Sequence, residues 1–309
     1  MASSLDIVDD ADGFPYEDPT SQGLYLFRVS GLSTTLGYIL PSVSYILRDF
    51  PGWSVDEGQR TVVLESGQTV EERSAAIRKT ILAMCENECF SILTGWRDET
   101  FPVFGPDHEI VLHVERCACP LFGVVTYGVH VIAYVPAPAD DGAMKIWVSR
   151  RARSKQTFGG MLDSTAAGGV ASGETPLSTI LHECDEEASL SSDLVRKDAK
   201  AVGAITHFYV RDRRSGGEVG LLQPECQYVY ELPVPSDLVC KPNDNEVEAF
   251  QLLNVSDVMA ALARREFKPN SALVMLDFMI RHGVVTSENE KDYLEIIARL
   301  HRRLDFPLR

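Results

Sequence analysis

The chain has 309 residues, 45% hydrophobic and 24% charged, enough for one large domain or two ordinary ones with a sizeable core. Its formal charge of -16 excludes a sequence-independent grip on nucleic acid, which needs Lys and Arg to neutralise phosphates, and is poorly matched to an anionic membrane surface. Seven cysteines, an odd number, fit free thiols in a reducing compartment rather than a disulfide framework.

Residues 1–22 are acidic and rich in turn formers, and are expected to be poorly ordered. They lack the basic and apolar blocks of a signal peptide, and no run of about 20 apolar residues follows, so a cytoplasmic protein without membrane contact is expected. "GLYLFRVSG" predicts a strand, "SVSYILRDF" a helix and "TVVLESG" another strand. "TVEERSAAIRKTILAMCENECF" predicts an amphipathic helix, with Ala76, Ile77, Ile81, Leu82 and Met84 on one stripe opposite Glu71, Glu72 and Arg78. After a Gly/Asp/Pro-rich stretch, "IVLHVER" reads as a strand, which closes an α+β unit over residues 1–125. Cys85 with Cys89 and Cys117 with Cys119 have the wrong spacing for a zinc knuckle, and are expected to be buried free thiols.

Residues 126–309 have a different texture. Residues 129–135 read as a buried strand, "PAPADDGA" as a turn, and "MKIWVSR" as a half-buried strand alternating Met144, Ile146 and Val148 with Lys145, Trp147 and Ser149. Further strands are expected in "AVGAITHFYVR", "CQYVYELPV" and "VEAFQLLNV", and helices in "SDVMAALARREF", "SALVMLDFMIRHG" and "EKDYLEIIARLHRRL". A mixed sheet with helices against it, an α/β fold, accommodates this order.

The chemistry concentrates in "GGVASGETPLSTILHECDEEASL", residues 168–190. Its first half approaches a phosphate-cradling Walker A loop, but Glu174 stands where the phosphate-binding lysine belongs. Thr175 then caps a helix with Pro176 at its first position. Leu177, Ile180, Leu181, Cys184 and Ala188 form the expected buried stripe, and Glu183, Glu186 and Glu187 share a face away from it. Like charges at these spacings cost a helix roughly 0.2–0.5 kcal/mol per pair, and they sit at its electronegative end. The plain alternative is a solvated acidic face. Behind a Gly-rich turn, with Glu174 nine residues upstream, the cluster instead reads as an oxygen-donor site for Mg2+ or Mn2+.

These residues resemble the Nudix box: Gly, five residues, Glu, seven residues, Arg-Glu-aliphatic-x-Glu-Glu-x-Gly-aliphatic. Gly168, Glu174, Glu183, Glu186, Glu187 and Leu190 match it, whereas His182, Cys184 and Ser189 replace Arg, an aliphatic residue and Gly. The resemblance implies an α/β/α sandwich with a mixed sheet and hydrolysis of a small-molecule diphosphate. It further implies metal ligation by the Gly168 carbonyl, Glu183, Glu186 and Glu187, supported by Glu174 and His182. The general base is either Glu183 or Glu246.

"CPLFGVVTYGVHVIAYV", "RARSKQTFGGMLDSTAAGG", "LQPECQYVYELPVP" and "FKPNSALVMLDFMIRHG" are similar to the Nudix subfamily labelled thiamine pyrophosphokinase-related, which carries an extra N-terminal domain. That implies hydrolysis of thiamine diphosphate and its oxo and oxy analogues to monophosphates. The chain, ending at Arg309, is expected to hold no following kinase domain. Arg150, Arg151 and Lys155, in a local basic cluster, are the candidate diphosphate contacts. Trp147, Phe158, Phe208 and Tyr228 are core residues or the walls of a ring slot, while His113, His130 and His207 read as core histidines. Other readings are a Nudix enzyme for ADP-ribose or another small nucleotide, an isomerase-like relative that keeps its diphosphate, and a non-catalytic ligand-binding module. The residues leave the oligomeric state open.

Overall fold

The computed structural model describes residues 1–137 and 143–309, so most of the expected turn at "PAPADDGA" lies outside the described residues. In the first unit, β1 (Tyr25–Val29), β2 (Gly37–Ile39), β3 (Trp53–Asp56) and β4 (Thr61–Leu64) form a sheet ordered β2-β1-β4-β3. Its β1–β4 pair is parallel and the other two are antiparallel. Helices α2 (Pro41–Leu47) and α3 (Val70–Glu86) share one core with this sheet, built on Phe27, Val43, Leu47, Ile77, Ile81 and Met84. Thr69 and Glu72 cap α3 reciprocally. Leu82, expected on the buried stripe, is 40% exposed; Thr80 occupies the core side and accepts the Trp53 indole N–H at 2.9 Å. The antiparallel hairpin of β5 (Thr100–Phe104) and β6 (Ile110–Glu115) follows, then the single turn α4 (Cys119–Phe122).

The second unit is a mixed sheet ordered β11-β12-β7-β8-β13, composed of β7 (Thr126–Val135), β8 (Lys145–Arg151), β11 (Lys200–Val210), β12 (Leu222–Pro233) and β13 (Val247–Asn254). Two short strands extend it, β9 (Leu162–Asp163) on β8 and β10 (Ala166–Gly169) on β7. Within this sheet, only β7 and β12 run parallel among the described pairs. Helices α5 (Pro176–Ala188) and α6 (Ser192–Asp198) share a core with one face. Helices α7 (Val255–Ala263), α8 (Pro269–Arg281) and α9 (Tyr293–Leu300) share a core with the other. With both faces covered, the alternation expected for "MKIWVSR" disappears: Ile146, Trp147, Val148 and Ser149 are all buried. Among the described residues no helix is long and apolar enough to cross a membrane.

The N-terminus departs from expectation. Residues 4–11 form α1 (Ser4–Ala11), capped by Ser3 and Asp6, and its Ile7, Val8 and Ala11 join the core under α7, α8 and α9. The acidic text hides an anchor, because Asp12 is 1% exposed. Its carboxylate accepts the Phe208 N–H at 3.0 Å, Arg302 at 3.0 Å, Arg299 at 3.2 Å and the Tyr16 hydroxyl at 2.7 Å. Removing one partner of such a buried network leaves the other charges uncompensated. Asp12→Ala is therefore expected to cost about 3–5 kcal/mol in urea unfolding, whereas Asp56→Ala, at the exposed end of β3, stays within about 1 kcal/mol.

Candidate active site

Helix α5 starts as its sequence predicts, with Thr175 capping and Pro176 at the first position. It stops at Ser189, which adopts the left-handed conformation (φ 55°, ψ 33°) that glycine holds more cheaply. Ile180, Leu181, Cys184 and Ala188 are buried, but Leu177 is 43% exposed. Glu187, expected on an outward face, is buried at 6% exposure, while Glu186 is exposed. The reason is the strand beneath: α5 packs directly on β10, whose small residues let carboxylates lie against backbone. A Cβ added to Gly168 would sit 1.7 Å from Glu183 Oε1. One turn on, Glu187 Oε2 accepts the Ala167 N–H at 2.9 Å. On the outer side, Glu174 accepts the Thr179 hydroxyl at 2.7 Å and faces His182 Nδ1 at 3.5 Å, so these two meet each other rather than the inner carboxylates.

Glu183 opens onto a cavity of about 240 Å³ whose wall also includes Gly168, Glu246, Arg151 and Lys155. Lys155 is hydrogen-bonded to Glu246, and Arg97 lies 3.8 Å from the same carboxylate. Arg151 is committed to Asp163 at 2.9 Å. Arg150, its neighbour on β8, points to the opposite face and donates to the Gly160 carbonyl at 2.8 Å, away from the cavity. Of the expected aromatic residues, Phe158 lines the cavity, joined by Tyr209, Tyr127 and Phe101; Trp147 and Phe208 are core, and Tyr228 is half-buried outside it.

The inner wall is a polar set that single-residue reading missed. Glu225 accepts His207 Nε2 at 3.1 Å, Gln227 at 2.9 Å and Asn270 at 3.2 Å, together with a bond from Gln223. The signal was present in "LQPECQ": Gln223, Glu225 and Gln227 put three polar side chains on one face of a strand. His207 Nδ1 is buried and unpartnered among the described residues, so the wall has hydrogen-bonding capacity to spare. His130 and His207 are buried as expected, yet both also line the cavity, and His113 bonds Ser172 at 2.6 Å.

Burial, then the charges of Glu246 and Glu186, push Glu183 up to about 8. Burial, with Glu183 next, holds Glu187 well above the usual carboxylate range. Burial acts to raise Glu246 as well, but the Lys155 bond and charge outweigh it and keep that carboxyl low. Among the described residues no three His, Cys, Asp or Glu side chains form a ready-made metal cage. Buried carboxylates that repel one another beside a glycine backbone nonetheless fit a hard divalent cation, which takes oxygen donors and keeps open positions.

A family model described as the NUDIX domain matches residues 128–274, and one described as a domain of unknown function, DUF4743, matches residues 17–126. Nudix hydrolase 24, chloroplastic, of Arabidopsis thaliana is 31% identical over 86% of this chain and 70% of its own length. The chain belongs to the Nudix hydrolase family. An uncharacterized protein of Saccharomyces cerevisiae is 34% identical to this Nudix hydrolase over 99% of the chain and 92% of its own length. Nudix hydrolase 20, chloroplastic, of Arabidopsis thaliana is 33% identical over 76% of the chain, which spans 60% of that relative. Among solved structures, the NUDIX domain of Shewanella oneidensis NrtR complexed with ADP ribose overlaps with a TM-score of 0.39 at 15% identity, covering 52% of this chain and 90% of that one.

Two outcomes follow from this geometry. Gly168→Ala forces the Glu183 carboxylate aside, and any divalent cation held there, probed with Mn2+ by the loss of free-ion signal in electron paramagnetic resonance, is expected to bind roughly 10–100-fold more weakly. His130, pushed down to about 4 by burial, stays neutral in the fold, whereas an unfolded chain binds a proton near pH 6.5. Stability present above pH ~6.5 is thus lost as pH falls towards ~4, by about 3 kcal/mol. His130→Gln flattens that limb of the denaturation–pH curve.

Proposed function

We propose that this Nudix hydrolase, with Mg2+ or Mn2+ bound, cleaves thiamine diphosphate and its oxo and oxy analogues to monophosphate and phosphate. The observation that carries the chemistry is Glu183 lying on Gly168 in the same cavity as Glu246, close enough for Glu246 to raise the Glu183 carboxyl. The Gly168 carbonyl, Glu183, Glu186 and Glu187 are the proposed holders of the cation. When bound, it would neutralise charge on the diphosphate and acidify a water.

The remaining work belongs to the chain. Of the two candidate bases, Glu246 is favoured, because Lys155 keeps it ionised and it does not lie on the Gly168 backbone as Glu183 does. It takes the proton as the water oxygen bonds to phosphorus; the anhydride P–O bond breaks and its electron pair leaves with the phosphate. Glu174 and His182 brace the first turns of α5. Lys155 holds Glu246, Arg151 positions the β8–β9 edge through Asp163, and Arg150 turns to the Gly160 carbonyl, so all three are engaged elsewhere than on the diphosphate.

The thiamine reading rests on the subfamily resemblance and on the character of the inner wall. Phe158 and Tyr209 offer ring faces, and His207, Gln227 and Asn270 offer polar groups held in place by Glu225, as a nitrogen heterocycle requires.

The test is incubation with magnesium and thiamine diphosphate, its oxo and oxy analogues, ADP-ribose and NADH, with products read by mass spectrometry. Thiamine monophosphates are expected fastest, with Glu246→Gln lowering kcat roughly 100-fold or more and Glu187→Gln inactive. Cleavage of ADP-ribose in their place keeps the chemistry and overturns the substrate. No turnover of any diphosphate favours a ligand-binding module.

A further inference from the structure

The first unit reaches into the cavity of the second. Arg97, after the turn at 91–95, and Arg116, at the end of β6, both line it, and their side chains keep 44% and 40% of their surface open. Arg97 and Arg116 both act to lower the Glu246 carboxyl, so their charges are felt where Glu183 and Glu246 meet.

Their placement is enforced from both sides of the junction. The Glu218 carboxylate, on the loop between β11 and β12, accepts the backbone N–H groups of Ser91 and Ile92, the latter at 3.1 Å, and pins the turn before Arg97. Glu115 accepts the Arg97 N–H at 3.1 Å, and the Arg116 N–H donates to the Glu99 carbonyl at 2.8 Å. The hairpin itself docks on the loop that leads into α5: the Ser172 N–H donates to the Thr100 carbonyl at 2.8 Å, and Phe101 fills the space where Gly169 has no Cβ.

The other cations around the cavity are already committed. Lys155 is taken by Glu246, Arg151 by Asp163, and Arg211 by Gln223, Ser215 and Gly216. Lys268 lies between the charges of Asp163 and Glu225. Arg116, by contrast, spends only Nη1, on Glu99 at 2.9 Å, among the described residues. Arg97, among the described residues, meets one opposite charge within 4 Å, Glu246 at 3.8 Å, beyond hydrogen-bond reach. Two guanidinium groups with free donors, aimed at a site crowded with carboxylates, match the fork geometry of phosphate oxygens.

We infer that the unit matched as a domain of unknown function is a working part of the active site: its Arg97 and Arg116 grip the diphosphate oxygens of the substrate. This rests on the diphosphate chemistry proposed above. The grip explains how a chain of charge -16 admits an anionic substrate past Glu183, Glu186 and Glu246.

The test is calorimetric titration of the full chain with inorganic pyrophosphate and magnesium, alongside steady-state kinetics on thiamine diphosphate. Arg97→Gln and Arg116→Gln are each expected to weaken pyrophosphate binding roughly 10-fold or more and to raise KM in parallel. Arg116→Lys restores part of the loss, and Arg48→Gln, at a residue that does not line the cavity, changes nothing. Circular dichroism and thermal unfolding check that the fold is kept; Arg97, on an open loop, gives a readable variant if Arg116→Gln misfolds. Unchanged pyrophosphate affinity in both Gln variants overturns the inference, as does a wild-type chain that binds no pyrophosphate. Arginine-dependent pyrophosphate binding by a chain that leaves thiamine diphosphates intact sustains it, and overturns the substrate proposed above.

Discussion

Everything at the site depends on how closely α5 can approach β10. A side chain at residue 168 would occupy the place of the Glu183 carboxylate, and only glycine lets that carboxylate lie on the strand. The same approach buries Glu187 against the Ala167 N–H and turns an acidic helix face inward. A helix that ends in Glu183, Glu186 and Glu187 works against its own dipole and its own like charges. Such an arrangement persists when function requires negative charge to be concentrated, and a hard cation bound there would remove the conflict.

The rest of the cavity answers that concentration with compensating charge. Asp163, buried and held well below the usual carboxylate range by Lys268 and Arg151 against the effect of burial, ties β9 to β8. Glu225 is buried too, yet its bond from His207 and the charge of Lys268 keep it ionised. These pairs are not surface decoration. Each would be costly to break, because the partner left behind is a buried charge without its counter-charge. They hold the inner wall rigid, so that Gln227, Asn270 and His207 present fixed hydrogen-bonding groups to whatever enters.

The junction between the two sheets supplies the remaining wall. A cavity at a junction between units is where ligand sites commonly form, and here the first unit brings arginines, a phenylalanine and the Gly95 turn to it. The N-terminal helix α1 works in the opposite sense. It belongs to the helix layer of the second unit and is clasped there through Asp12, which binds Arg299 of α9 and Arg302 just beyond it.

What the sequence determined by itself was local and periodic. Capping at Thr175, most strands and helices, and the box spacing from Gly168 to Leu190 depend on neighbours in the chain, and were legible there. Tertiary structure decided which side of each element meets another. It exposed Leu177 and Leu82, buried Glu187, covered both faces of β8, ordered α1 despite its acidic text, and turned Arg150 away while bringing Arg97 and Arg116 in. The physical reason is range. Helical period and capping are satisfied within a few residues, whereas burial, ion pairing and the cavity wall are set by segments such as 97, 116, 183 and 246, which are far apart in the chain and become neighbours only in the folded structure.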